Sequence, residues 1–315
     1  MPEIWIWSAV FIASLAVLIK SSDFFVDASE KIGLALGLSP FVIGVTLVAV
    51  GTSLPELVSS VISVTEGASE FVAGNVVGSN ITNICLIFAI VAVVSKKFNV
   101  EFDIMRVDTP FLAGSAFLLL LLCMDGSFDR FDGLISLLGM AVYLLYLSKA
   151  DNPLLGDVEE HERPEKFPVL QVLIVVASAV GIYFGAKYTV ESVIKLSEIA
   201  GIPNEIIALT AVALGTSLPE LIVSIVAIRK SNAEMVVGNI LGSNIFNTFA
   251  VMGVPAMIGT LVIPASVLAF SLPLMLAITL LFLFIVQDKE INRWEGLLLL
   301  LFYVVFIVKV LMDFI

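Results

Sequence analysis

The 315 residues are 59% hydrophobic and only 14% charged, with a mean hydropathy of +1.09 and a formal net charge of −12. Such a composition lies outside the range of water-soluble domains and describes a polytopic membrane protein. The negative balance argues against a nucleic-acid partner, and the two cysteines, Cys85 and Cys123, both in apolar runs, suggest neither a disulfide framework nor a thiol metal knuckle.

Runs close to the roughly 20 residues that span a bilayer predict helices at 3–20, 39–64, 70–95, 107–124, 131–149, 168–187, 203–228, 234–260, 262–286 and 294–313, the first and sixth with room to run longer. The first apolar run starts at Ile4 with no basic stretch before it and no small-residue cleavage pattern after it. It therefore reads as a retained helix rather than a signal peptide.

The heptapeptide GTSLPEL at 51–57 recurs at 215–221. The same offset of 164 residues matches Gly74, Asn75, Gly78, Ser79, Asn80 and Asn83 to Gly238, Asn239, Gly242, Ser243, Asn244 and Asn247. It also matches Val26, Asp27, Lys31 and Gly37 to Val190, Glu191, Lys195 and Gly201. Each half then holds five spans, and because five is odd the second half enters the membrane from the opposite side. The expected fold is all-α and integral to the membrane, with ten transmembrane helices as two inverted-topology five-helix repeats. The first repeat is 1–150 (helices 1–5), an acidic cytoplasmic linker follows at 151–167, and the second repeat is 168–315 (helices 6–10). Lysine and arginine cluster at alternate connections, so the positive-inside rule puts both termini outside the cell membrane and the linker in the cytoplasm. Asp157, Glu159, Glu160 and Glu162, with His161 among them, read as a solvated charge run. Asp23, Asp27 and Glu30 with Lys31, and Glu191 with Lys195, read as ion pairs at helix ends.

A glutamate at membrane depth costs about 2.5 kcal/mol or more and so marks function before structure. Glu56 and Glu220 hold that position in the two copies. Pro55 has no N–H for the carbonyl of Gly51, and the glycine loosens the turn further. The expected result is a kinked or briefly unwound helix whose carbonyls around Ala49 to Gly51 need partners other than lipid. Thr52 and Glu56 share a helix face at i, i+4, and Gly215, Thr216, Ser217, Pro219 and Glu220 repeat the arrangement. Glu70 and Glu234 open the helices that follow, where the dipole favours an acid. Gly74 with Gly78, and Gly238 with Gly242, are spaced for close helix approach. That approach is expected to bring Ser79 and Asn83 against the helix of Glu56, and Ser243 and Asn247 against that of Glu220. The donors are all hard oxygen, which suits Ca²⁺ with its six to eight oxygens and disfavours zinc, copper and iron. Two carboxylates balance one Ca²⁺, and an empty site needs protons or monovalent cations in its place, which is the logic of antiport.

These residues resemble the calcium/cation antiporter superfamily, the sodium/calcium and proton/calcium exchangers of prokaryotic type, whose repeats carry GTSLPE followed by GN-x-x-GSN. The resemblance spans both repeats. It implies an ion site formed by helices 2, 3, 7 and 8 and alternating access through movement of helices 1 and 6. By position it makes Glu56 and Glu220 the principal Ca²⁺ ligands, surrounded by Thr52, Ser53, Ser79, Asn83, Thr216, Ser217, Ser243 and Asn247, with the carbonyls of Ala49 and Ala213. Ca²⁺ would be the transported substrate and Na⁺ or H⁺ the counter-ion, with no organic cofactor. Inorganic cations and the bilayer are the only partners indicated, and no enzymatic activity is expected. One departure stands out: some sodium/calcium exchangers and the potassium-dependent ones carry aspartate where this chain has Asn247, so a potassium-requiring cycle is not expected. GTSLPE resembles the sodium/calcium branch, yet two protons would neutralise two acids as well as one Ca²⁺ does, and the counter-ion stays open between Na⁺ and H⁺. Two other readings compete. A Ca²⁺-selective channel could use the same oxygens, but filters are usually built by ring symmetry. An intramembrane hydrolase would need a nucleophile–base pair or a metal motif that the sequence does not supply.

Overall fold

The computed structural model describes residues 2–100, 108–148, 168–200 and 217–312. Its helices are α1 (Pro2–Leu36), α2 (Pro40–Thr65), α3 (Glu70–Ser95), α4 (Asp108–Cys123), α5 (Arg130–Leu147), α6 (Val169–Ile199), α7 (Leu218–Arg229), α8 (Ala233–Ile258), α9 (Val267–Gln287) and α10 (Arg293–Met312). Among the described residues, eight of these are long and apolar enough to cross a membrane, and α4 is a shorter apolar helix. Only the last part of the predicted seventh run falls within the description, as α7, and the 151–167 linker lies outside it. As the hydropathy allowed, α1 and α6 outrun their predicted ends.

Local chemistry sets the boundaries. Ser39 caps α2 by accepting the Val42 N–H, with Pro40 in the first turn where its missing donor costs nothing. A reciprocal capping box between Asp129 and Asp132 starts α5, and the Asn232 side chain caps α8 by accepting the Met235 N–H at 3.1 Å. Glu70 and Glu234 lie in the first turns of α3 and α8, where an acid meets the positive end of the dipole.

The layers follow from burial. The most apolar stretch of α8 is wholly buried and most of that of α3 is too, whereas those of α1, α5 and α10 lie mostly outside the core. The centre therefore belongs to α2, α3, α7 and α8, and α1 lies along α6 at one side. That outer pair is close: a Cβ added to Gly185 would stand 2.8 Å from the backbone of Leu18, and Thr189 Oγ1 donates to Ser14 Oγ at 2.9 Å. Two short antiparallel ribbons tie the connections, β1 (Lys97–Asn99) with β4 (Glu290–Asn292) and β2 (Ser127–Phe128) with β3 (Leu261–Val262).

Three expectations need correction. Residues 49–65 form one unbroken α-helix through Pro55. The irregularity sits one turn earlier, as a π-helical segment at Gly44–Val48. The extra residue widens that turn without ending the helix. The glycines of α8 seat on the other half of the chain rather than on α7: a Cβ on Gly238 would come within 2.4 Å of the Phe41 carbonyl oxygen, and one on Gly242 within 2.4 Å of that of Val45. The ion pairs at helix ends also take other partners. Asp27 pairs with Lys230, just past the end of α7, at 2.6 Å and Lys195 with Glu198 at 2.9 Å. Lys230 is nearer because the end of α7 packs against α1.

Candidate cation site at the centre of the bundle

Glu56 and Glu220 are each 1% exposed, in the middle of the protein. The helices that carry them, α2 and α7, meet so that Ser53 Oγ donates to Glu220 Oε1 at 3.3 Å. The second carboxylate oxygen of Glu220 has no hydrogen-bond partner. A buried, acceptor-only oxygen left this way is costly unless a proton or cation meets it.

Around the acids, Ala49, Thr52, Ser53, Ser79, Asn83, Ser217, Ser243 and Asn247 are all buried. Thr52 Oγ1 lies 3.3 Å from the Ala49 carbonyl oxygen and 3.4 Å from Asn239 Oδ1, and Ser243 Oγ lies 3.5 Å from that same Oδ1. Ala213 and Thr216 fall outside the described residues. Asn83 and Asn247 each open a π-helical segment, Asn83–Phe88 and Asn247–Val251. Such segments recur at functional positions because the wide turn re-aims side chains.

Several asparagines and serines carry the site without having been assigned a role from the sequence. Asn75 Nδ2 donates to Ser60 Oγ at 3.1 Å, and Asn239 Nδ2 donates to Ser224 Oγ at 3.1 Å. These bonds pin α3 to α2 and α8 to α7 by the same bond at the 164-residue offset. Asn83 Nδ2 donates to Asn244 Oδ1 at 3.1 Å, and Asn247 Nδ2 donates to Asn80 Oδ1 at 3.2 Å. This second set crosses between α3 and α8, so each amide belongs to a pair drawn from both halves. Conspicuous in the sequence is only that each residue recurs at the fixed offset. The sequence also passed over Asp108, a fully buried acid at the start of α4 that accepts from the Tyr143 hydroxyl at 3.0 Å and faces that of Tyr146 at 3.5 Å.

A helical membrane bundle with two buried carboxylates, ringed by buried hydroxyls and amides at its centre, has the donor set of a transporter of small cations. The family sequence model described as sodium/calcium exchanger protein matches residues 6–149 and again residues 170–312. The chain belongs to that family. Among its relatives, the sodium/calcium exchanger MaX1 of Methanosarcina acetivorans is 36% identical over 95% of this chain and 97% of its own. The putative antiporter CaxA of Alkalimonas amylolytica is 33% identical, over 93% and 95%. Solved structures of the sodium-calcium exchanger NCX_Mj superpose with a TM-score of 0.84 at 28% identity when soaked with Na⁺ and Sr²⁺, covering 97% of this chain and 99% of that one. The same exchanger without Na⁺ and Ca²⁺ gives 0.83.

Proposed function

We propose that this protein is a secondary-active antiporter that exchanges Ca²⁺ for Na⁺ or H⁺ by alternating access. The observation that carries the reading is the pair Glu56 and Glu220, buried in facing helices at the same position of two repeats. Membership of the exchanger family agrees with it. Glu56 and Glu220 are the principal ligands, and Thr52, Ser53, Ser79, Asn83, Ser217, Ser243 and Asn247 complete the oxygen shell. Thr216 and the carbonyls of Ala49 and Ala213 belong to the same proposal.

The charge balance sets the cycle. Two carboxylates hold one Ca²⁺ without net charge, and in a low-dielectric centre they do not stay together bare. Release of Ca²⁺ to one side therefore requires monovalent cations or protons to enter before the site crosses back. Asn247 adds an oxygen without adding charge, which limits the demand to two positive charges. A channel has no such obligatory return step.

The proposal includes ten spans arranged as two inverted five-helix repeats, 1–150 and 168–315, with both termini outside and the 151–167 linker cytoplasmic. Two matches of one family model within this chain support the duplication. So do the ribbons, since the 164-residue offset carries β1 onto β3 and β2 onto β4. The deciding experiment is ⁴⁵Ca²⁺ uptake into sealed proteoliposomes, with a Na⁺ gradient at uniform pH compared against a pH gradient without Na⁺. Uptake driven by either gradient supports antiport and names the counter-ion. Uptake indifferent to both overturns it.

A further inference from the structure

The crossed amides of α3 and α8 look symmetric, but they end differently. Asn80 Nδ2 faces the Asn244 carbonyl oxygen at 3.4 Å, Thr248 Oγ1 at 3.1 Å and Met275 Sδ at 3.7 Å. A backbone carbonyl and a thioether only accept, so the NH₂ end of Asn80 must point toward them. Its Oδ1 then faces Asn247, which must answer with Nδ2, as it does at 3.2 Å. The Asn247 Oδ1 is left buried with no hydrogen-bond partner, turned away from that bond.

The mirror chain lacks this anchor. At the 164-residue offset, Thr248 corresponds to Ile84 and Met275 to Phe111, neither of which accepts. Asn244 Nδ2 accordingly has no hydrogen-bond partner. The Asn244 amide is held only by its bond from Asn83, whose own Oδ1 is likewise buried without a partner, so this pair has no second anchor to fix which end faces which.

We propose that Asn80 is a positioning residue, which through Asn247 Nδ2 locks the Asn247 oxygen toward the cation and makes the two amide ligands inequivalent. This rests on the antiport reading given above. An unlocked amide presents either an oxygen or an NH₂ to the ion, and the NH₂ orientation repels it. Loss of an orienting partner of this kind typically costs about 10- to 100-fold in metal affinity.

The test is Ca²⁺ binding to the purified full chain by isothermal titration calorimetry, alongside ⁴⁵Ca²⁺ uptake, with thermal unfolding recorded for each variant. Asn80→Ala is expected to weaken Ca²⁺ binding by about tenfold or more and to raise the KM for uptake with the maximal rate largely kept. Asn244→Ala costs less, since the Asn244 amide that accepts from Asn83 Nδ2 is itself held by nothing at its NH₂ end. In the Asn247→Asp background the sign reverses. The new carboxylate faces Asn80 Oδ1, so adding Asn80→Ala removes a repulsion and tightens binding relative to Asn247→Asp alone. An equal cost of Asn80→Ala in both backgrounds overturns the positioning role, as does binding indistinguishable from wild type. If Asn80→Ala fails to fold, Thr248→Val serves. It removes the hydroxyl that accepts from Asn80 Nδ2 and is expected to weaken Ca²⁺ binding in the wild-type background but not in the Asn247→Asp background, where no amide needs orienting. Binding unchanged by Thr248→Val in the wild-type background overturns the role. Wild type that binds no Ca²⁺ overturns both readings, whereas wild type that binds, with Asn80 insensitive, overturns only this one.

Discussion

At the residue scale, Glu56 and Glu220 are each too buried to be tolerated without a counter-charge, and an intramembrane charge costs about 2.5–3.5 kcal/mol. Replacing either by glutamine removes one of two charges that balance Ca²⁺. We expect Glu56→Gln and Glu220→Gln each to lower ⁴⁵Ca²⁺ uptake by about a hundredfold, the factor that ~2.7 kcal/mol represents. Normal uptake by either variant would remove that acid from the site. Asn247→Asp acts in the other direction. It adds a third negative charge beside the cation, so Ca²⁺ release needs one more positive charge. The half-saturating counter-ion concentration should shift by about tenfold, equivalent to ~1.4 kcal/mol, while some Ca²⁺ binding persists. An unchanged ion dependence would place Asn247 away from the cation.

At the scale of helices, the contact that matters is that of α8 on α2. Gly44, Gly238 and Gly242 bring the two backbones together, with the position of an added Cβ on Gly44 only 2.5 Å from the Met235 carbonyl oxygen. Backbone cannot yield as a flexible side chain does, so Gly242→Leu must push α8 off α2. The usual cost of such overpacking is about 1–3 kcal/mol, read as a lower unfolding temperature of the purified protein. Gly114 of α4 is the control. Its Cβ would meet nothing within 4 Å, and Gly114→Ala should be neutral or stabilising by up to ~1 kcal/mol through helix propensity. Equal losses in both variants would contradict the close approach. The glycine spacing was legible in the sequence, but the partner was not: a small-residue stripe states that something comes near and carries no label for which helix it is.

For the whole molecule, the proposed topology, oriented by the positive-inside rule, puts the 151–167 linker on the cytoplasmic side. Both native cysteines are buried, so labelling with an impermeant maleimide has a low background. A Val158→Cys variant should react only from the cytoplasmic side and Glu3→Cys only from outside. Reaction of Val158→Cys from outside would reverse the orientation and, with it, the side on which lysines and arginines collect.

Composition, the run lengths and the 164-residue offset were enough by themselves to determine a membrane protein, the positions of most of its helices, and the two buried acids with oxygen-bearing side chains around them. Those properties depend on local chemistry: hydrophobicity must match lipid, and a carboxylate at membrane depth is conspicuous wherever it stands. Tertiary structure alone decided how the halves interlock. The crossed bonds of Asn80 with Asn247 and Asn83 with Asn244, the seat of Gly238 and Gly242 on α2, and the π-helical segment that took the place of a break at Gly51 all join residues far apart in the chain or settle a local strain by packing. A repeated motif encodes each half, and the register between the halves is set where two buried surfaces must satisfy one another's polar groups.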